Sequence, residues 1–303
     1  MSSLAIITPS YEADFQLCLD LHRSVLDLAP PSVTHYIIVP DGDRALFSPM
    51  AGDRCKVLTI SELLPKRFVS MPRVNAWVNL RKPFPPIRGW IMQQIVKLAS
   101  ANSVEAQTLL LADSDLEFVR PFSSDTFQES GTLMLYRKEA AITAALPRHL
   151  KWHMRARKLL GLPPAAPPLP DYMSAPNAWD RDVVLALHKR IEKVTGKHWM
   201  DAVAGQLHVS ECILYGVFVD KILGGPANAH PTDSMFVHNY FETRPLDAAS
   251  ASTFLNGVAD TDIAVMISAK SATPLEVRRE AFASLRARLE GSCASPVEPL
   301  PMR

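Results

Sequence analysis

Short, wholly apolar runs alternate in this chain with longer stretches whose apolar residues recur every three or four positions. Leu4-Ala5-Ile6-Ile7-Thr8 is the first run and stops at Pro9. Tyr36 to Val39, Lys56 to Ile60 and Thr108 to Ala112 repeat the pattern. Runs this short read as strands buried on both faces. Between them, Phe15, Cys18, Leu21, Val25 and Leu28 keep helical spacing until Pro30-Pro31 ends the helix. A second helix is predicted from Trp90 to Ser100. It carries Ile91, Ile95 and Leu98 on one face and Trp90, Gln94 and Lys97 on the opposite, polar face. The stretch from Arg67 to Arg88 reads as irregular and basic, because Pro72, Pro83, Pro85 and Pro86 interrupt regular structure. Strand alternating with helix predicts an α/β fold with a mainly parallel, Rossmann-type sheet covered by helices.

The second half is patterned more loosely. Strands are predicted at Thr132–Tyr136, Ser234–His238 and Ile263–Ile267. Helices are predicted at about His149–Leu160, Trp179–Val194, Ser210–Leu223 and Thr273–Leu289, the last with Pro274 at its favoured first position. The run Pro163 to Pro170 reads as a connector, and a frayed tail is expected from Gly291 through Pro296, Pro299 and Pro301.

Composition narrows the class. The 303 residues are 48% hydrophobic and 21% charged, which is ordinary for a globular protein. A formal net charge of +1 gives no general electrostatic case for nucleic acid. Cys18, Cys55, Cys212 and Cys293 lie far apart with no Cys-x-x-Cys pair, so reduced thiols and a cytoplasmic setting are expected, with Cys18 and Cys212 in the core. No apolar run reaches the ~18 residues of a membrane span. The opening residues show no basic region followed by an apolar core, so no signal peptide is expected. Peripheral association with the inner face of a cell membrane stays compatible with the composition.

The candidate chemistry gathers at strand ends. Thr108-Leu109-Leu110-Leu111-Ala112-Asp113-Ser114-Asp115 is an apolar strand running into two carboxylates. Ligands of open α/β sheets bind at the carboxyl ends of strands, and two adjacent carboxylates there repel unless a cation joins them. Three other Asp-x-Asp pairs occur. Asp41 and Asp43 share the favourable strand end, Asp180 and Asp182 read as a helix cap, and Asp260 and Asp262 precede a strand. The turn Thr8-Pro9-Ser10-Tyr11 has neither the Gly-x-Gly-x-x-Gly of dinucleotide binders nor the Gly-Lys-Ser/Thr of P-loops. Arg73, Arg81, Lys82 and Arg88 form a basic segment that suits phosphate contact. Asp171, Tyr172, Asn177 and Trp179 make a polar and aromatic segment suited to a sugar, or to a lid or packing.

The order of these motifs resembles the nucleotide-sugar half of a GT-A glycosyltransferase. The likeness rests on Ile6-Ile7-Thr8-Pro9-Ser10-Tyr11, the strand ending in Asp41-Gly42-Asp43, the helix Gly89 to Leu98, and Leu109 to Asp115, and it covers roughly residues 4 to 125. The resemblance implies a GT-A-like sheet. Residues 1–125 would bind a nucleotide-sugar donor, 126–290 would form a more helical acceptor side, and 291–303 would be a tail. It implies Mn²⁺ or Mg²⁺ held by Asp115, by Asp113 and by a late histidine, His238 first and His230 second. It further implies donor contacts from Thr8, Pro9, Ser10, Tyr11, Asp41, Arg88, Gln94, Lys97, Asp113 and Ser114. Glu211, at a predicted helix start, would be the base that takes the proton of a saccharide or glycolipid acceptor hydroxyl, the donor being UDP-linked. Two other readings remain: a metal-dependent nucleotidyltransferase or phosphohydrolase, and a catalytically silent GT-A-like binding module.

Overall fold

The computed structural model describes residues 3–71, 74–225 and 229–293, so Arg73 and residues 294–303 of the expected tail lie outside the described residues. In chain order, β1 (Leu4–Pro9), α1 (Phe15–Leu28), β2 (Thr34–Val39), α2 (Arg44–Phe47), β3 (Cys55–Thr59) and α3 (Ile60–Leu63) lead into β4 (Phe68–Ser70), β5 (Ala76–Asn79) and β6 (Lys82–Arg88). Then come α4 (Gly89–Ser103), β7 (Thr108–Leu111), β8 (Leu116–Phe118), β9 (Gln128–Glu129), β10 (Thr132–Tyr136) and β11 (Lys138–Ile142). Next are α5 (Pro147–Leu160), β12 (Leu169–Asp171), β13 (Asn177–Asp180), α6 (Arg181–Thr195), α7 (Trp199–Ala204) and α8 (Glu211–Lys221). The described chain ends with β14 (His230–Thr232), β15 (Val237–Tyr240), α9 (Ala248–Leu255), β16 (Ala264–Ile267) and α10 (Leu275–Cys293).

The central sheet has the order β13-β7-β1-β2-β3. β1 runs parallel to β2 and β7, and β2 parallel to β3, while β13 closes one edge antiparallel to β7. This is the parallel-rich sheet that the apolar runs imply: β1 and β7 are buried at every position. Because β7 is parallel to its neighbour β1, the chain must return through α4 to start it. The N-terminal end of α4 therefore lies towards the edge where the parallel strands finish. A second sheet, β15-β16-β8, joins the chain just after Asp115 to the C-terminal region. One core cluster mixes Ile7, Leu109, Leu135, Trp152, Tyr172 and Leu214, so both halves of the sequence share an interior.

Five sequence expectations are corrected. Arg67 to Arg88 is not irregular where it is described: β4, β5 and β6 form an antiparallel sheet with β5 in the middle, and Pro83, Pro85 and Pro86 sit on the edge strand β6, where a missing N–H costs no ladder bond, while Pro72 lies outside the described residues. α4 has no solvated face, because α6, α7 and α8 pack on it, and Gln94 and Lys97 are buried with Ile91, Ile95 and Leu98. Trp179 belongs to β13, opposite Leu109, and the helix starts at Arg181 with Asp180 as its cap, accepting from the N–H groups of Asp182 and Val183. The strand expected over Ser234–His238 lies at Val237–Tyr240, and α10 continues through Cys293 instead of stopping before Gly291. Of the uses left open for Tyr172 and Trp179, packing is the one found: both are buried, Trp179 stacks on Tyr215 with ring centroids 4.9 Å apart, and the Tyr172 hydroxyl donates to Asp220 Oδ2 at 2.7 Å.

Tyr172 fits because α8 carries a glycine beneath it. A Cβ on Gly216 would lie 2.2 Å from Tyr172 Cγ, inside any van der Waals contact. Gly216→Ala should therefore destabilise the protein by about 1–3 kcal/mol through overpacking. A urea midpoint equal to or above that of the parent would show that Tyr172 can move aside.

Candidate active site

The carboxyl edge of the central sheet collects the charged side chains. The Ala112 N–H donates to Ile7 O at 3.0 Å, so the ladder of β7 ends there and Asp113 is the first residue to leave the sheet. Beside it, Ser10 at the end of β1 accepts from the Ser114 hydroxyl at 2.9 Å, which ties the two strand ends together. Asp115 is fixed from the second sheet. Its Oδ2 accepts from the Ala269 N–H at 2.7 Å, and its backbone carbonyl accepts from Arg278 Nη2 at 3.0 Å. Asp115 keeps one buried oxygen, Oδ1, with no partner, whereas Asp113 Oδ1 faces the Lys97 ammonium.

A cation already occupies one side. Lys97, buried on α4, places Nζ 2.8 Å from Asp113 Oδ1 and 3.1 Å from Glu211 Oε1. The first contact is an ion pair without the alignment of a hydrogen bond, and the second is a hydrogen bond. Burial alone would push the Lys97 ammonium down, but the Asp113 and Glu211 carboxylates outweigh it and hold it above the usual lysine range. Glu211 is only 4% exposed and starts α8, where the Ser210 hydroxyl accepts from the Ile213 N–H and Gln94 Oε1 accepts from the Glu211 N–H. Gln94 thus serves the start of α8 rather than an open surface.

Two contributors escaped the sequence reading. Asp14, the residue before α1, feels Asp113: burial first and that charge second raise its pKa, and Arg278 opposes them. Burial, and then the Asp113 charge, push the Asp115 carboxyl up to about 6, with the Ala269 N–H and Arg278 pulling the other way. Asp14 reads as a helix-start charge and Arg278 as one cation of a charged helix, so neither carries a sequence signal. Asp14, Asp113 and Asp115 thus feel one another's charge, but they do not bring three carboxylate oxygens within 4.8 Å of one another.

Other expected residues lie elsewhere. Thr8 and Pro9 are buried; Thr8 Oγ1 lies 2.9 Å from His35 Nε2, so its hydroxyl supports the sheet instead of lining the edge. Tyr11 is 46% exposed and is the open member of that turn. Asp41 is exposed and accepts from the Ser61 hydroxyl, while Asp43 reaches the β1 end by accepting from the Glu12 N–H at 2.8 Å. Arg88 precedes α4, nine residues from Lys97 or about 13 Å along a helix, and donates to Leu207 O. His238 does not join the aspartates. Its Nε2 is 2.9 Å from Phe254 O, and its ring stacks on Phe254 against Gly257. It is the second residue of β15 and not the strand end, so it faces α9. His230 pairs with Glu129 at 3.7 Å.

Among the described residues, one group of three metal-ligating side chains comes within 4.8 Å of one another, His22, His35 and Cys55, all buried. His22 Nδ1 and His35 Nδ1 are 3.1 Å apart, so with Thr8 the two rings form a continuous hydrogen-bonded chain. Burial, and then His22, push His35 down to about 3.

Removing the Lys97 charge tests the ion cluster. Lys97→Met should cost about 3–5 kcal/mol, because Glu211 is left buried without its cation. Lys97→Met/Glu211→Leu should recover part of that loss in a double-mutant cycle; additive losses would mean that the pair is not coupled. The buried histidines set the acid limit. Burial depresses His35 and His188 to about 3 and His153 to about 4. Each is neutral when folded and takes up a proton on unfolding below pH ~6.5. Their stabilisation is complete above that pH and drains away as the pH falls towards 4. The urea midpoint should therefore drop over this range, and less steeply in His188→Gln; parallel profiles would remove His188 from the account.

No helix among the described residues is long and apolar enough to cross a membrane. No curated protein matches the chain. Among solved structures, mouse xyloside xylosyltransferase 1 in its apo form aligns at 13% identity with a TM-score of 0.48, over 90% of this chain and 99% of that one. The model of a family of unknown function, DUF6492, matches residues 3–235, and the chain belongs to that family.

Proposed function

We propose that the protein is a divalent-metal-dependent glycosyltransferase that moves a sugar from a nucleotide-sugar, UDP-linked, to a hydroxyl of a saccharide or glycolipid acceptor. The observation that carries this reading is Asp115 Oδ1, a buried carboxylate oxygen without a partner, two residues from Asp113 at the carboxyl edge of a parallel sheet. The order of sequence motifs resembling GT-A enzymes supports it independently.

Asp113 and Asp115 would hold Mn²⁺ or Mg²⁺, which neutralises the developing charge of a nucleoside diphosphate leaving group. The chain's own residues do the rest. Ser114 and Ser10 lock the ends of β7 and β1 together, and Arg278 holds the backbone of Asp115. Tyr11, open at that turn, would pack on the nucleoside. Lys97 Nζ donates to Glu211 Oε1 and Gln94 fixes the start of its helix, and Glu211 would accept the proton of the acceptor hydroxyl. Positions 113, 97 and 211 are thereby joined in one chain of charges from donor side to acceptor side.

One observation favours a second reading. Lys97 Nζ already stands 2.8 Å from Asp113 Oδ1, where an ammonium does part of a metal's work; a metal-free binding module would use it so. The two readings separate in one assay. Donor hydrolysis across UDP- and GDP-sugars with Mn²⁺ should be measurable, should vanish with chelator and in Asp115→Ala, and should fall ~10²–10⁴-fold in Glu211→Gln when an acceptor is supplied. Hydrolysis that is unchanged by chelator contradicts the metal's role. No hydrolysis of any donor, with no nucleotide-dependent thermal shift, contradicts the enzyme.

A further inference from the structure

A second cleft opens beside the carboxylate cluster, where α4 and α5 begin. Arg88, Trp90, Pro147, Arg148, Lys151 and His208 line a volume of about 230 Å³. That is smaller than the ~300 Å³ at which pockets begin to enclose a drug-sized molecule, so it suits a headgroup.

Every fixed charge in the cleft is positive. His208 is lowered by slight burial and then by Arg88, Lys151, Arg155 and Arg148, four cations converging on one ring. Among the described residues none of these four has a carboxylate within ion-pair distance, whereas Arg67, Arg81, Arg120, Arg137, Arg279 and Arg286 all do. Two helix N-termini add to the field. α4, of 15 residues, and α5, of 14, have no acidic residue in the first turn and no side chain capping their first N–H groups. Each therefore presents the positive end of its dipole, although the Gly89 N–H already donates to Asn75 O and Pro147 has no N–H to offer. Arg148 is also held in place: its guanidinium carbon lies 4.9 Å from the centre of the Trp152 ring and 5.4 Å from that of Trp90, and the two indoles stack at 5.5 Å. A guanidinium ordered on aromatic faces keeps its fork of donors free for an oxyanion.

We infer that this cleft binds a phosphate group carried by the acceptor. Three lining cations without a carboxylate partner, with Arg155 near and two helix dipoles, match a dianionic phosphate better than a singly charged carboxylate. The cleft is coupled to the proposed chemistry by short stretches of chain. Trp90 is two turns from Lys97 on α4, about 10 Å along the axis, and His208 precedes Glu211 by three residues. A phosphate anchored there would present a neighbouring hydroxyl towards Glu211. The inference rests on the transferase reading for the word acceptor, and on the cleft alone for phosphate.

Calorimetric titration of the full chain with inorganic phosphate, with an alkyl phosphate and with the corresponding neutral alkyl glucoside tests it. Saturable binding of the phosphates and not of the glucoside is expected, and Arg148→Gln/Lys151→Gln should weaken it at least tenfold. Both positions are exposed, and an unchanged melting temperature of the double variant confirms that the fold survives. Alkyl phosphate binding more tightly than inorganic phosphate assigns the group to a chain-bearing acceptor, while equal binding shows that the site reads the phosphate alone. No saturable binding of either phosphate, or equal binding by the double variant, overturns the inference. These titrations need neither donor nor metal. Phosphate binding retained in a protein that hydrolyses no donor would count against the transferase and not against the cleft.

Discussion

A single buried ammonium organises this molecule. Lys97 lies inside a helix packed on all sides and joins Asp113, at the end of a strand in the first half of the chain, to Glu211, at the start of a helix in the second. An isolated lysine in that position would lose its proton to avoid the cost of burial; with two carboxylates at hand it keeps it. The pairing sets where α8 begins relative to the central sheet. It leaves Asp115 Oδ1 buried without a partner, in the field of the Asp113 charge. On the proposed function, that is where a further cation would bind.

The surroundings fit that division of labour. The Ser114–Ser10 bond ties the two strand ends, and Ala269 and Arg278 hold Asp115 while leaving its Oδ1 without a partner. Asp14 adds a third negative field from the turn after β1. Where α4 and α5 begin the sign reverses, and Arg88, Arg148, Lys151 and Arg155 converge on His208 with no carboxylate within ion-pair distance among the described residues.

Much of the scaffold was legible from residue patterns. The helix Phe15–Leu28 has its expected bounds because five apolar residues keep its spacing and two prolines stop it. Leu109 to Asp115 announced its place because a strand buried on both faces must be apolar, and charges can appear only where it ends. Contacts spanning more than a hundred residues were not legible: Lys97 and Glu211 could each be named, but nothing local says that they touch. The polar face of α4 looked solvated because Gln94 and Lys97 are polar, yet both are buried among partners supplied by distant helices. Asp14 and Arg278 looked like ordinary helix charges. His238 was placed at a strand end because the strand was set three residues early, and that register decides whether its ring faces α9 or the carboxylates.

The central proposal is that Asp115, with Asp113 beside it, binds a divalent cation that Lys97 does not replace. Crystals grown with Mn²⁺ and UDP, with diffraction recorded at the manganese edge, test this directly. The account predicts one anomalous peak bonded to Asp115 and within reach of Asp113, with Lys97 still on Glu211. A peak at His22, His35 and Cys55 instead, or none beside the aspartates, would contradict it.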